Sequence, residues 1–164
     1  MRRSIRAYQD KIPPTESIKM VAEAGTYAPN GLGRQSATIV VVTEKTLRDR
    51  LSQMNAAILG TAADPFHGAP VVLIVFADKS VPTYIYDGTL VMGNMLNAAH
   101  SEGLGSCWVH RAKEMFESDE GEALLKEWGV PENCEGIGCC VLGYSSDEEL
   151  PHPRPRKKNF IIYT

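Results

Sequence analysis

Apolar and polar positions along the chain fall into alternating helical and strand-like stretches. Ile18, Val21, Ala22, Gly25 and Ala28 recur at helical spacing after Pro13-Pro14-Thr15-Glu16, where Thr15 is placed to cap a helix and Glu16 to sit in its first turn. Pro29-Asn30-Gly31 should stop that helix. Residues 38–43 are β-branched almost throughout, the pattern of a strand buried on both faces. A second helix is expected over 44–59, a loop with Gly60, Pro65, Gly68 and Pro70, and a second apolar strand over 71–77. Asp87 is placed to cap a third helix, apolar nearly all round through Leu90, Val91, Met92, Met95, Leu96, Ala98 and Ala99. Such a helix suits a core or a subunit interface. Gly103 should end it, with a short strand over 106–109 beyond. An amphipathic helix is expected over 114–128, closed by Gly129 with Pro131 just after it, and a fourth strand over 137–142. After Ser145 the chain turns acidic, then proline-rich and basic, then strand-like at Phe160-Ile161-Ile162-Tyr163. That last segment has no local partner and could pair with a sheet edge, one in another subunit included. The pattern predicts an α+β fold, a central sheet of four to five strands flanked by helices. A doubly wound α/β arrangement is the competing architecture, because strands and helices alternate loosely.

Composition narrows the function classes. The 164 residues fit a single domain, 1–164, without repeats or low-complexity linkers. A net charge of −3 argues against a general nucleic-acid binder, which needs a broad basic face. No apolar run reaches the length of a membrane span, and no apolar signal core follows the basic N-terminus. A cytoplasmic location and no membrane partner are therefore expected. Cys107, Cys134, Cys139 and Cys140 lack metal spacing and read as reduced, buried thiols, the adjacent pair pointing to opposite faces of a strand.

Charge is distributed unevenly. Seven of the 17 basic residues lie at the two ends: Arg2, Arg3 and Arg6, then Arg154, Arg156, Lys157 and Lys158. Neither cluster contains an acid, and all 20 acids lie between them. Arg-Arg-Ser-Ile-Arg, with Ser4 supplying a hydroxyl, and the proline-stiffened Arg154 together suit a phosphate, whose oxygens match guanidinium forks. The bland alternative is a frayed, solvated terminus. The two Gly-x-Gly runs, at 31–33 and 136–138, are not dinucleotide fingerprints, since both lead into a strand where that motif must follow one. Asn30, Arg34 and Gln35 place amides and a charge in the loop before a rigid strand. His110 has no companion ligands at metal spacing, and no serine lies in a nucleophile elbow. With no catalytic residue set of its own, an enzymatic chain of this kind would rely on an organic cofactor.

At these residues the sequence resembles the nitroreductase family of FMN-dependent oxidoreductases. Arg-Arg-Ser-x-Arg at 2–6, Ala-Pro-Asn-Gly-x-x-x-Gln at 28–35, Gly-Leu-Gly-Ser-Cys-Trp at 103–108 and Pro-Arg-Pro-Arg-Lys at 153–157 occur in the family's order across nearly the whole chain. The resemblance implies a mostly antiparallel sheet and a homodimer with two FMN sites at its interface. It implies that Arg2, Arg3, Ser4 and Arg6, joined by Arg154 and Arg156, hold the phosphate and ribityl chain. It places Pro29, Asn30, Gly31 and Gln35 in a cofactor-binding loop, which comes from the partner subunit, and Trp108, Val109, His110 and Arg111 along the isoalloxazine, with a backbone N–H near N5 that stabilises the reduced flavin. NAD(P)H is the implied co-substrate, and a nitroaromatic or quinone the implied small-molecule electron acceptor, in a ping-pong cycle. The family's usual helix before the arginine motif has no counterpart ahead of Met1: either the true start lies upstream, or this member lacks the helix, which would leave Arg2 less anchored and the dimer smaller. No long insertion follows Ala77, which predicts a small lid and an open site. The alternatives on the same fold are a reductive dehalogenase, an azoline dehydrogenase, a flavin-consuming enzyme or a non-enzymatic flavin carrier.

Overall fold

The computed structural model of the chain describes residues 1–146 and 152–164. The acidic stretch read after Ser145 lies largely outside the described residues. Four strands form one antiparallel sheet: β1 (Ala37–Val42), β2 (Val71–Asp78), β3 (Gly105–Val109) and β4 (Cys134–Gly143), in the order β1-β2-β4-β3. An all-antiparallel sheet excludes the doubly wound alternative, which requires parallel strands. The helices are α1 (Thr15–Thr26), α2 (Lys45–Leu59), α3 (Tyr84–Ser101), α4 (Ala112–Phe116) and α5 (Asp119–Trp128).

Central position explains the composition of β2. It is paired on both edges and covered on both faces, so every residue from Val71 to Ala77 is fully buried. One face, with Val72, Ile74 and Phe76, packs in a core with Leu51 of α2, Met115 and Phe116 of α4 and Leu124 of α5. The other, with Val71, Leu73 and Val75, shares a core with Val21 of α1 and Val91, Met92 and Met95 of α3. Cys139 belongs to the first core and Cys140 to the second, on opposite faces as expected of neighbours in a strand. All four thiols are free and buried.

Four expectations are corrected. β1 is not buried on both faces: it is an edge strand whose residues are mostly half-buried, and Val41 is exposed. Thr15 does not cap α1, whose N-cap is Pro14, and the helix closes at Thr26, ahead of Pro29. Asp87 is not a cap either, because α3 begins at Tyr84 and puts Asp87 inside its first turn. The helix expected over 114–128 is two helices. Ser118 accepts from the Gly121 N–H and starts α5 afresh, and Gly121 lies so close to the Met115 carbonyl that an added Cβ would stand 2.1 Å from it. Residues 160–163 form no strand within this chain and are exposed. Among the described residues, no helix is long and apolar enough to cross a membrane.

Candidate functional site

The N-terminus is tied into the sheet rather than frayed. Ser4 bridges Ser106 in parallel, and the Ile5 N–H donates to the Ser106 carbonyl at 3.1 Å. Tyr8 bridges Ser145 antiparallel, the Gln9 N–H donates to Tyr144, and the Ser146 N–H donates to Ala7. Ile5, 2% exposed, anchors this seam. The arginine motif thus runs beside β3, and the first and third motifs of the sequence meet.

At the seam the polar groups are incompletely satisfied. Arg2 Nη1 and Ser106 Oγ are both buried without a hydrogen-bond partner. A buried donor left unpaired costs about 1–3 kcal/mol, more when charged, so Arg2 Nη1 fits a site that takes an acceptor from outside the chain. Arg2 also lies near Cys140, whose thiol burial pushes up to about 12; Cys107 and Cys139 add to the rise and the Arg2 charge opposes it. Arg3 donates to the Arg2 carbonyl at 2.9 Å. Arg6 is exposed, and its charge reinforces burial in holding the His67 pKa below its ordinary value.

Beyond the seam, β3 leads to a tight turn. Trp108 is half-buried and lies over Gly138 of β4, where an added Cβ would stand 2.8 Å from the indole. Val109 is buried and His110 exposed. Arg111 caps α4 in the left-handed region, at φ 77° and ψ 15°. Asn55 of α2, 0% exposed, donates to the His110 carbonyl at 2.8 Å and accepts from Arg111 Nε at 3.1 Å.

The 29–35 loop is held by other elements. Asn30 Oδ1 accepts from the Gln35 N–H at 2.8 Å and closes the loop on itself. Asp87, 3% exposed, accepts from the Gly31 N–H at 3.0 Å, Ser36 Oγ at 2.7 Å and Thr83 Oγ1 at 3.1 Å. Burial works to raise the Asp87 pKa, but the hydrogen bonds from Ser36, Gly31 and Thr83 outweigh it and hold the carboxyl below the usual range. A cleft of about 360 Å³ lies beside this loop, with Ala22, Ala37, Ile39 and Val91 as its apolar floor and Asn30, Gln35 and Asp87 at its polar end. No seam residue lines it. Pro29 is exposed and Gly31 half-buried.

Arg154 and Arg156 are exposed, and Arg156 Nη2 donates to the Arg154 carbonyl at 2.8 Å. The structure therefore joins Arg2, Arg3, Ser4 and Arg6 to the strand carrying Trp108, Val109, His110 and Arg111. It holds Pro29, Asn30, Gly31 and Gln35 on a separate support, and leaves the C-terminal arginines on an exposed tail. Asn55 and the true role of Asp87 escaped the sequence reading, and Ser106 entered it only as one residue of the 103–108 motif. For Asn55 a signal was present: it falls four residues after Leu51, on the apolar face of its helix, where a polar residue needs a reason.

The nitroreductase family's sequence model matches residues 1–144. A protein named putative NADH dehydrogenase/NAD(P)H nitroreductase, from Archaeoglobus fulgidus, is 30% identical over 154 residues, 90% of this chain and 83% of that one. An iodotyrosine deiodinase from Thermotoga neapolitana is 28% identical over 93% of this chain and 89% of its own length. The crystal structure of a nitroreductase with bound FMN from Bacteroides fragilis superposes at a TM-score of 0.90, with 27% identity, over 99% of this chain and 94% of that one. The chain belongs to the nitroreductase family.

Proposed function

We propose that this member of the nitroreductase family is an FMN-dependent oxidoreductase that carries reducing equivalents from NAD(P)H to a small electrophile such as a nitroaromatic or quinone. The observation that carries the reading is its likeness, over nearly the whole chain, to a nitroreductase that binds FMN. The seam supports it: a buried, unpaired guanidinium N–H beside β3 fits the anionic end of such a cofactor. When bound, FMN would supply the hydride chemistry, and the chain's own residues would hold it and shape the site.

In this reading Arg2, Arg3, Ser4 and Arg6 hold the phosphate and ribityl chain, and Arg154 and Arg156 close on the phosphate from the C-terminal side. Trp108, Val109, His110 and Arg111 line the ring. Pro29, Asn30, Gly31 and Gln35 act on the site of a second copy, which makes the protein a homodimer. The exposed face of α3, with Ile85, Tyr86 and Leu90, and the nearby Tyr27 and Leu32 offer apolar surface for that copy. NAD(P)H and the acceptor would occupy this site in turn, in a ping-pong cycle. Four free, buried thiols support a cytoplasmic location.

The test is the cofactor itself. Purified protein should carry flavin absorbance, bleach under anaerobic NADH or NADPH, and recover its colour on adding menadione or nitrofurazone. No flavin absorbance, and none after FMN is supplied, would sink the proposal. A second reading, reductive dehalogenation, draws on the likeness to the Thermotoga deiodinase. Brisk turnover of menadione with no release of halide from a halogenated tyrosine would count against it.

A further inference from the structure

We infer that Asn55 is a positioning residue: it fixes the turn at His110 and Arg111, and through it aims the Arg111 guanidinium, which no carboxylate pairs among the described residues, so that it selects electron acceptors carrying an anionic group. The inference rests on the proposed flavin site only for what lies beside the turn; the clamp itself is in the geometry of the chain.

Asn55 is wholly buried, and its amide is spent almost entirely on this turn. Nδ2 donates to the His110 carbonyl at 2.8 Å and approaches Met115 Sδ at 3.2 Å, while Oδ1 accepts from Arg111 Nε at 3.1 Å. Asparagine is a poor residue for the interior of α2, and burying an amide is costly unless its bonds are made. An apolar residue would serve α2 better, so the amide is explained by the turn and not by the helix. The turn needs holding. Arg111 is a non-glycine residue at φ 77°, a conformation that surrounding structure must enforce. Ala112, which follows, is 0% exposed, so the turn is locked on its far side as well.

The consequence lies in the fork of Arg111. Nε is engaged by Asn55, and no carboxylate pairs with the guanidinium among the described residues. A half-buried guanidinium held through its Nε loses little entropy on meeting an anion. It therefore discriminates by charge: a carboxylate or sulfonate on the acceptor gains a charge-assisted hydrogen bond that a neutral analogue lacks. Asn55 touches no substrate in this account and acts only through Arg111.

The experiment compares kcat/KM for menadione and for 1,4-naphthoquinone-2-sulfonate in the FMN-loaded protein, together with hydrogen exchange in the cofactor-free protein. Wild type should favour the sulfonate. Asn55→Ala should lower the sulfonate-to-menadione ratio about tenfold, the scale of one charge-assisted hydrogen bond. Asn55→Asp, which keeps the side-chain volume and places a carboxylate on Arg111, should lower it as much. In an Arg111→Gln background neither change should alter the ratio further. In the cofactor-free protein Asn55→Ala should speed exchange at the amides of α4 while those of α1 keep their protection. Equal losses on both quinones, a ratio that still falls without Arg111, or no preference for the sulfonate in wild type would overturn the inference. Absence of any flavin would refute the proposed function instead, and with it the acceptor preference, while the exchange measurement would still decide whether Asn55 holds the turn.

Discussion

Replacing Asp87 should release the 29–35 loop, and the size of the effect follows from the donors it would abandon. Asp87 is 3% exposed and accepts three hydrogen bonds, from the Gly31 N–H, Ser36 Oγ and Thr83 Oγ1. Asp87→Ala removes all three. The two hydroxyls can rotate toward other acceptors, but the Gly31 N–H is fixed by the backbone and stays unpaired. One stranded donor at about 1–3 kcal/mol, plus two lost bonds to a charged group at about 1.5–3 kcal/mol each, gives about 4–9 kcal/mol, and the rotated hydroxyls bring the expected loss toward the lower end. That is a large share of a domain stability of about 5–15 kcal/mol. Asp87→Asn keeps the shape and one acceptor oxygen, so its cost should be about 1–2 kcal/mol. The pH dependence has a definite sign. The folded-state pKa is lowered, so the carboxylate's contribution is present in full above the unfolded value of about 3.9 and is lost as pH falls through the folded value. Urea unfolding at fixed protein concentration should therefore show a constant gap between wild type and Asp87→Asn from about pH 5 to 8, narrowing below about pH 4. A gap that does not change down to pH 3, or an Asp87→Ala protein within about 0.5 kcal/mol of wild type, would refute the reasoning.

Other outcomes follow from single contacts. Gly138→Ala would set a methyl 2.8 Å from the Trp108 indole, so Trp108 must shift; a changed tryptophan emission and a loss of about 1–3 kcal/mol are expected, and unchanged emission would contradict the packing. Ser118→Ala removes the cap that starts α5 and should cost about 1 kcal/mol, read as a Tm fall of about 2–4 °C. Arg154→Ala with Arg156→Ala should weaken FMN retention, measured by flavin fluorescence on dilution, while leaving the Tm of the cofactor-free protein unchanged. An equal fall in that Tm would make the tail structural and take it out of the site.

Much of the fold was legible because the periodicities are strong. The uninterrupted apolar run of β2, the glycine after Leu59 and the glycine after Trp128 are local signals, and the four strands and the helices α1, α2 and α3 appear within a few residues of their expected places. What failed were judgements that depend on neighbours. The β-branched run of β1 looks the same whether a strand is central or at an edge, and only the strand order showed that this one has an open side. The break between α4 and α5 depends on Gly121 meeting the Met115 carbonyl, a contact that helical periodicity does not encode.

The site divides in the same way. The sequence alone supplied the candidate groups, namely guanidiniums at both ends, an amide-bearing loop and an aromatic strand end, and an order of motifs that resembles one family. Only the tertiary structure decided how these are held. Ser4 pairs with Ser106, a hundred residues away, and leaves Arg2 Nη1 buried and unpaired. Asp87 turns from a supposed helix cap into the anchor of the 29–35 loop. Asn55, read as one more residue of a helix, becomes the clamp on the turn at Arg111. The reason is physical. Charge and periodicity are properties of the chain near one residue, whereas the satisfaction of a buried polar group depends on which distant partners the fold brings within about 3 Å.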